Sequence, residues 1–139
     1  MMPASPDRKV VAAFRRNGGK VGGAFGDSDL LLLHHTGAKT GAQYVTPLLY
    51  WTVGADTVAV LASNYGAPRH PAWYHNLKAN PRVEFLRRGG RRGTYVAREA
   101  TGEEREALWA RVNDLYRGYQ TYQGRTQGRR IPLVVLDPA

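Results

Sequence analysis

The chain has 139 residues, 42% of them hydrophobic and 10% aromatic, with no cysteine and a formal charge of +9. That length suits one domain, residues 1–139, with a core of its own; the lack of cysteine excludes a disulfide framework, a thiolate metal site and a cysteine nucleophile. No run approaches 18 uninterrupted apolar residues, which excludes a membrane-spanning helix of that kind, and Met1–Ser5 does not read as the start of a secretory leader.

Ser5-Pro6-Asp7 is a helix start, because Ser caps, Pro is tolerated in the first turn and Asp suits the positive end of the dipole. Val10, Val11 and Phe14 recur near helical spacing, so Asp7–Arg16 is predicted helix, ended by Asn17-Gly18-Gly19. The glycines of Asn17–Asp27 predict a loop. Leu30–Thr36 is a short apolar run, read as a buried strand. Tyr44–Val53 reads as a second strand, and Pro47 within it implies a sheet edge or a bulge. Thr57–Ala62 is a third strand, and Ser63–Pro68 a loop. Pro71–Ala79 is a short helix stopped by Asn80-Pro81. Arg82–Leu86 and Thr94–Glu99 form a hairpin about Gly89-Gly90. Thr101-Gly102-Glu103-Glu104 fits a capping box, opening a helix that carries Leu108, Val112, Leu115 and Tyr119. Gly118 to Gly128 is a loop or frayed helix end, and Ile131–Leu136 is the last strand. Strands thus come in antiparallel groups rather than alternating with helices. A small, mainly β, antiparallel barrel or curled sheet with helices outside fits this order better than a doubly wound parallel sheet.

Sixteen of the twenty basic residues are arginine, against eleven acids. Such a surface attracts nucleic acid, anionic membrane or a polyanionic ligand, and the guanidinium fork suits phosphate and carboxylate. The chain has neither a G-x-G-x-x-G fingerprint after a strand nor a P-loop. Gly37-Ala38-Lys39-Thr40-Gly41 has the makings of an anion cradle, or is an ordinary charged turn. His34 and His35 point to opposite faces of a strand, and His70 and His75 are five apart, so no metal site is expected. Ser63 lacks a nucleophile elbow, and Glu103, Glu104 and Glu106 suit a helix N-terminus. Tyr116, Tyr119 and Tyr122 share a helix face, where they either line an apolar slot or pack on the barrel. His70 through Pro81 is either a helix that turns its N-terminus to an anion or one that packs Trp73 and Leu77.

Several stretches taken together carry a resemblance: Asn17–Gly23, Thr36–Gly41, Thr46-Pro47-Leu48, Ala62–Pro68, His70–Pro81, and the tyrosine series with Ile131-Pro132. From about Phe14 onward the chain resembles the deazaflavin (coenzyme F-420)-dependent nitroreductase family of the flavin/deazaflavin oxidoreductase superfamily. The resemblance implies an antiparallel split β-barrel of the FMN-binding kind. It implies an oxidoreductase that moves a hydride from reduced F-420, an 8-hydroxy-5-deazaflavin, to a hydrophobic conjugated acceptor such as a quinone or nitro compound. An actinobacterial, cytoplasmic setting follows, as a monomer or homodimer, with weak peripheral docking at the inner face of the cell membrane.

Residue by residue, the resemblance puts Lys39, Thr40 and Gly41 on the cofactor's phosphate-bearing tail, and Thr46, Pro47 and Leu48 beside its ring. Ala62, Ser63, Asn64, Gly66 and Ala67 would hold the deazaflavin, and Trp73, Asn76 and Lys78 would flank the tail. Tyr116, Tyr119 and Tyr122 would line the acceptor pocket. Tyr119 and Ser63 are the expected catalytic residues, Tyr119 as a hydroxyl donor to the acceptor's developing negative charge and Ser63 in the loop that fixes the ring. Gln43-Tyr44 stands where the family often has an arginine, and His34-His35 where it commonly has two threonines. The tail's phosphodiester and carboxylates also account for the positive charge. The competing readings are a barrel that binds FMN or haem, and a non-enzymatic basic module for nucleic acid. Against the latter, the arginines are scattered from Arg8 to Arg130 and no nucleic-acid motif is present. Docking on a membrane would use Arg8, Lys9, Arg15 and Arg16, with Val10, Val11 and Phe14 opposite.

Overall fold

The computed structural model of the protein describes residues 11–16, 30–87, 92–115 and 123–139. Residues 11–16 are helical (α1), the described part of the expected first helix. Then come β1 (Leu30–Thr36), β2 (Gln43–Leu49), β3 (Trp51–Thr52), β4 (Val58–Leu61), a 3-10 turn (Asn64–Gly66) and α2 (Ala72–Ala79). They are followed by β5 (Arg82–Arg87), β6 (Arg92–Glu99), α3 (Gly102–Leu115) and β7 (Leu133–Pro138). Among the described residues the strands form one sheet, in the order β2-β1-β5-β6-β7-β4-β3, with antiparallel pairs. The expected loop 17–27 and the Gly89-Gly90 turn lie outside the described residues; within the expected loop or frayed helix end 118–128, residues 123–125 form a helical turn and 118–122 lie outside the described residues.

The expected single strand Tyr44–Val53 is two strands. Leu49 pairs with Leu30 at one border of the sheet, whereas Trp51 pairs with Ala59 at the other. A ladder cannot run on unbroken when its partner changes, so the strand breaks at Tyr50. Because the two border strands are separated by that one residue, the sheet must curl until its borders meet, which is the barrel the element order predicts. Pro47 sits opposite Leu32 on border strand β2, where a proline costs the ladder least.

The apolar runs in β1, β4 and β7 are buried on both faces, which is why they do not alternate. Leu31, Leu33, Val58, Val60, Val134 and Leu136 face one core with Trp73 and Leu77 of α2. Ala59, Leu61, Leu133 and Val135 face the other way, against Val112 of α3. Leu30 and Leu32 pack outward onto Phe14 of α1. α1 and α3 thus cover the outside of the barrel, as expected, whereas α2 sends Trp73 and Leu77 into its core.

The capping box at Thr101–Glu104 is not formed. Gly102 takes φ +56°, and both Glu104 carboxylate oxygens accept from Arg98, at 2.5 and 3.0 Å. An arginine fork on the neighbouring strand outcompetes a single backbone N–H for the carboxylate.

Candidate functional site

The turn after β1 is shaped by its own backbone. Gly37 N–H donates to Ala42 O at 2.7 Å and Gly41 N–H to Gly37 O at 3.1 Å, with Gly41 at φ +73°. Lys39 and Thr40 are exposed at its tip. Asn76 of α2 pins the turn from beneath: its Oδ1 accepts from Ala38 N–H at 2.9 Å. Its other end, Nδ2, donates to His35 Nδ1 at 3.0 Å. His35 is 3% exposed, and burial drives its pKa down to about 4, so the ring is neutral. With Nδ1 accepting, the proton resides on Nε2, which donates to Thr46 Oγ1 at 2.8 Å. Asn80, one helical turn beyond Asn76, donates from Nδ2 to Thr36 O at 3.3 Å. Gln43 Nε2 donates to Thr36 Oγ1 at 3.0 Å, joining the ends of β1 and β2.

A second assembly surrounds the loop after β4. Ser63 is right-handed (φ −74°, ψ −33°), and Asn64 after it is left-handed in φ (+49°). Consecutive right- and left-handed residues turn their N–H groups to one side and form a nest for an anion or a polarised carbonyl. The amides of Gly66 and Ala67 bond back to Ser63 O and Asn64 O at 2.9 and 3.0 Å. Those of Ser63 and Asn64 bond to no described residue. On the opposite side stands Arg129. Its Nη1 donates to Ala62 O at 3.0 Å, Nη2 to Ser63 O at 2.7 Å and Nε to Ala67 O at 3.0 Å. Nη1 also lies 2.9 Å from His70 Nδ1, which accepts. Burial, and then the Arg129 charge, hold His70 below the ordinary imidazole pKa.

Arg129 is itself held by a compact turn. Gln123 Nε2 donates to Arg129 O at 2.7 Å, and Gln123 Oε1 accepts from Ile131 N–H at 2.9 Å. Buried Thr126 places its hydroxyl 2.6 Å from the same Arg129 carbonyl and 2.8 Å from Gln123 O. Gln127 (φ +56°) and Gly128 (φ +92°) make the reversal.

The structure therefore brings the expected residues into two assemblies. Lys39, Thr40, Gly41, Thr46 and Asn76 belong to the first, and Ala62, Ser63, Asn64, Gly66 and Ala67 to the second. Asn76 uses both ends of its amide inside the protein, so it positions the turn. Trp73 is buried in the core, with Leu48 packed against the same cluster. Lys78, two residues after Asn76, is some 200° round the helix. Its ammonium lies 5.3 Å from the Tyr74 ring, in a crevice of about 190 Å³ shared with Pro81, Arg98 and Glu99. Tyr116, Tyr119 and Tyr122 lie outside the described residues, and no described His, Asp or Glu cluster could hold a metal. His35, Gln123 and Arg129 were not singled out as site residues from the sequence. Nothing local in the sequence tells Arg129, an arginine aimed inward, from its scattered neighbours.

A family model described as F420H(2)-dependent quinone reductase matches residues 6–138. The chain is 42% identical over 129 residues to an F420H(2)-dependent quinone reductase of Mycobacterium tuberculosis, covering 90% of this chain and 85% of that one. Among solved structures it is similar to an F420-H2 dependent reductase, FDR-A, with a TM-score of 0.68 and 37% identity over 78% of this chain and 93% of the other. A structure described as a domain-swapped dimer matches with a TM-score of 0.71 and 34% identity, over 94% and 96% of the two chains.

Proposed function

The chain belongs to the F420H(2)-dependent quinone reductase family, and from that premise we propose that it binds reduced coenzyme F420 and passes a hydride to a quinone. Nitro compounds and similar flat, conjugated molecules are proposed as further acceptors. The cofactor supplies the redox chemistry: with carbon where a flavin has nitrogen at ring position 5, it moves two electrons as a hydride. The protein binds, orients and polarises.

The observation that carries this reading is the loop at residues 62–67. Its Ser63 and Asn64 amides, which bond to no described residue, suit the carbonyl-bearing edge of a deazaflavin ring, because a nest of N–H groups favours oxygen that carries negative charge. The exposed Lys39 and Thr40, on a turn held by Asn76, suit an anionic tail of phosphodiester and carboxylates. Thr46, whose hydroxyl accepts from His35, keeps its own proton to donate outward. In this reading Tyr116, Tyr119 and Tyr122 line the acceptor site, and Tyr119 hydrogen-bonds the oxygen on which charge grows as the hydride arrives. Preorganisation of that kind lowers a barrier by a few kcal/mol. The basic face of α1, with Arg15 and Arg16 exposed, would give weak docking on an anionic bilayer where a lipid-soluble quinone resides.

Titration of oxidised F420 with the protein tests the reading. Saturable quenching of the cofactor's fluorescence is expected, with no comparable binding of FMN. Reduced F420 should then be consumed only when both the protein and a naphthoquinone are present. Absence of saturable F420 binding would overturn the assignment.

A further inference from the structure

The loop at residues 62–67 is held from behind by one side chain. The carbonyls of Ala62 and Ser63 both turn toward the Arg129 guanidinium, at 3.0 and 2.7 Å. In a planar trans peptide the N–H of the next residue points opposite to the C=O. The amides that follow those carbonyls are those of Ser63 and Asn64, the two that make no hydrogen bond to a described residue. Gathering the carbonyls on one side therefore gathers these two N–H donors on the other. We propose that Arg129 is a positioning residue: it holds two consecutive peptides so that Ser63 and Asn64 present their N–H groups together to the oxygen-bearing edge of the bound ring.

The geometry is specific to arginine. Four contacts leave Nε, Nη1 and Nη2 in fixed directions, to Ala67 O, Ala62 O, Ser63 O and His70 Nδ1. A lysine has three donors on one rotating atom and cannot reach three carbonyls at separate angles. The Gln123 and Thr126 contacts to the Arg129 carbonyl fix the other end of the residue, so the clamp is anchored to the barrel through Ile131. The role rests on the reading above that this loop meets the F420 ring, and it touches no reacting atom itself.

The test compares Arg129→Met and Arg129→Lys with the unaltered protein, by F420 titration and by site-resolved amide exchange. Both variants should bind oxidised F420 roughly 10- to 100-fold more weakly, the loss expected when charge-assisted hydrogen bonds go. Exchange at Gly66 and Ala67 should quicken while that of β1 and β4 stays unchanged. Millimolar guanidinium should restore part of the affinity of Arg129→Met and leave the unaltered protein as it was. Unchanged affinity in both variants sinks the proposal, as does loosening spread evenly over the barrel. If the unaltered protein fails to bind F420, the assignment of the ring falls. Faster exchange confined to Gly66 and Ala67 in the variants would still uphold the clamp, and unchanged exchange would dismiss it.

Discussion

His35 accepts from Asn76 through Nδ1 only while its ring is neutral. Its pKa falls from 6.5 in an unfolded chain to about 4 in the fold, with burial as the main cause and the neighbouring His34 second. The unfolded state thus binds the proton more readily. The contribution of His35 to stability is complete above about pH 6.5 and drains away as pH falls toward 4. Urea unfolding should lose about 3 kcal/mol from this residue between pH 7 and pH 4, and a His35→Gln protein should show a flatter profile across that window. An equally steep profile in the variant would refute it. The turn that bears Lys39 should loosen over the same range, because Asn76 links the two. Residues such as Asn76 and Lys39 were singled out as candidates in the sequence because they sit in stretches that carry the family resemblance. Arg129 was not, because its partners lie 59 to 67 positions earlier in the chain, and no local spacing records a contact of that length.

At the scale of the elements, burial on two faces governs what substitution does. Leu33 of β1 is fully buried against the barrel core, so Leu33→Ala removes apolar contact and leaves a void. A loss of about 3 kcal/mol is expected in chemical denaturation, with little change in the denaturant slope; a loss below about 1 kcal/mol would show that this core collapses freely around the gap. Strand and helix positions were readable because runs of Leu and Val between glycine and proline signals admit few alternatives. The break at Tyr50 was not readable, because extended backbone on either side of it has the same composition and only the identity of the pairing strand changes. The misread capping box has a similar origin: Thr101 and Glu104 have the right spacing, but a strand supplies Arg98 as a better partner for the carboxylate.

Over the whole molecule the charge of +9 sets how an anionic ligand is bound. Raising sodium chloride from dilute buffer toward molar concentration should weaken F420 binding several-fold by screening. A deazaflavin that lacks the phosphate and glutamate tail should bind weakly and almost independently of salt. Equal salt dependence of the two would place the cationic attraction somewhere other than the tail. The barrel itself could be anticipated from the order of the elements, but not the manner of its closing. Leu49 ends one outermost strand and Trp51 begins the other, so covalent geometry allows the two borders no more than roughly 7 Å between their Cα atoms at that point. A sheet hemmed in this way has a fixed girth at its seam. Any breathing that admits a bulky guest has to happen at the far rim, where helices and loops can swing, and not by unrolling the wall.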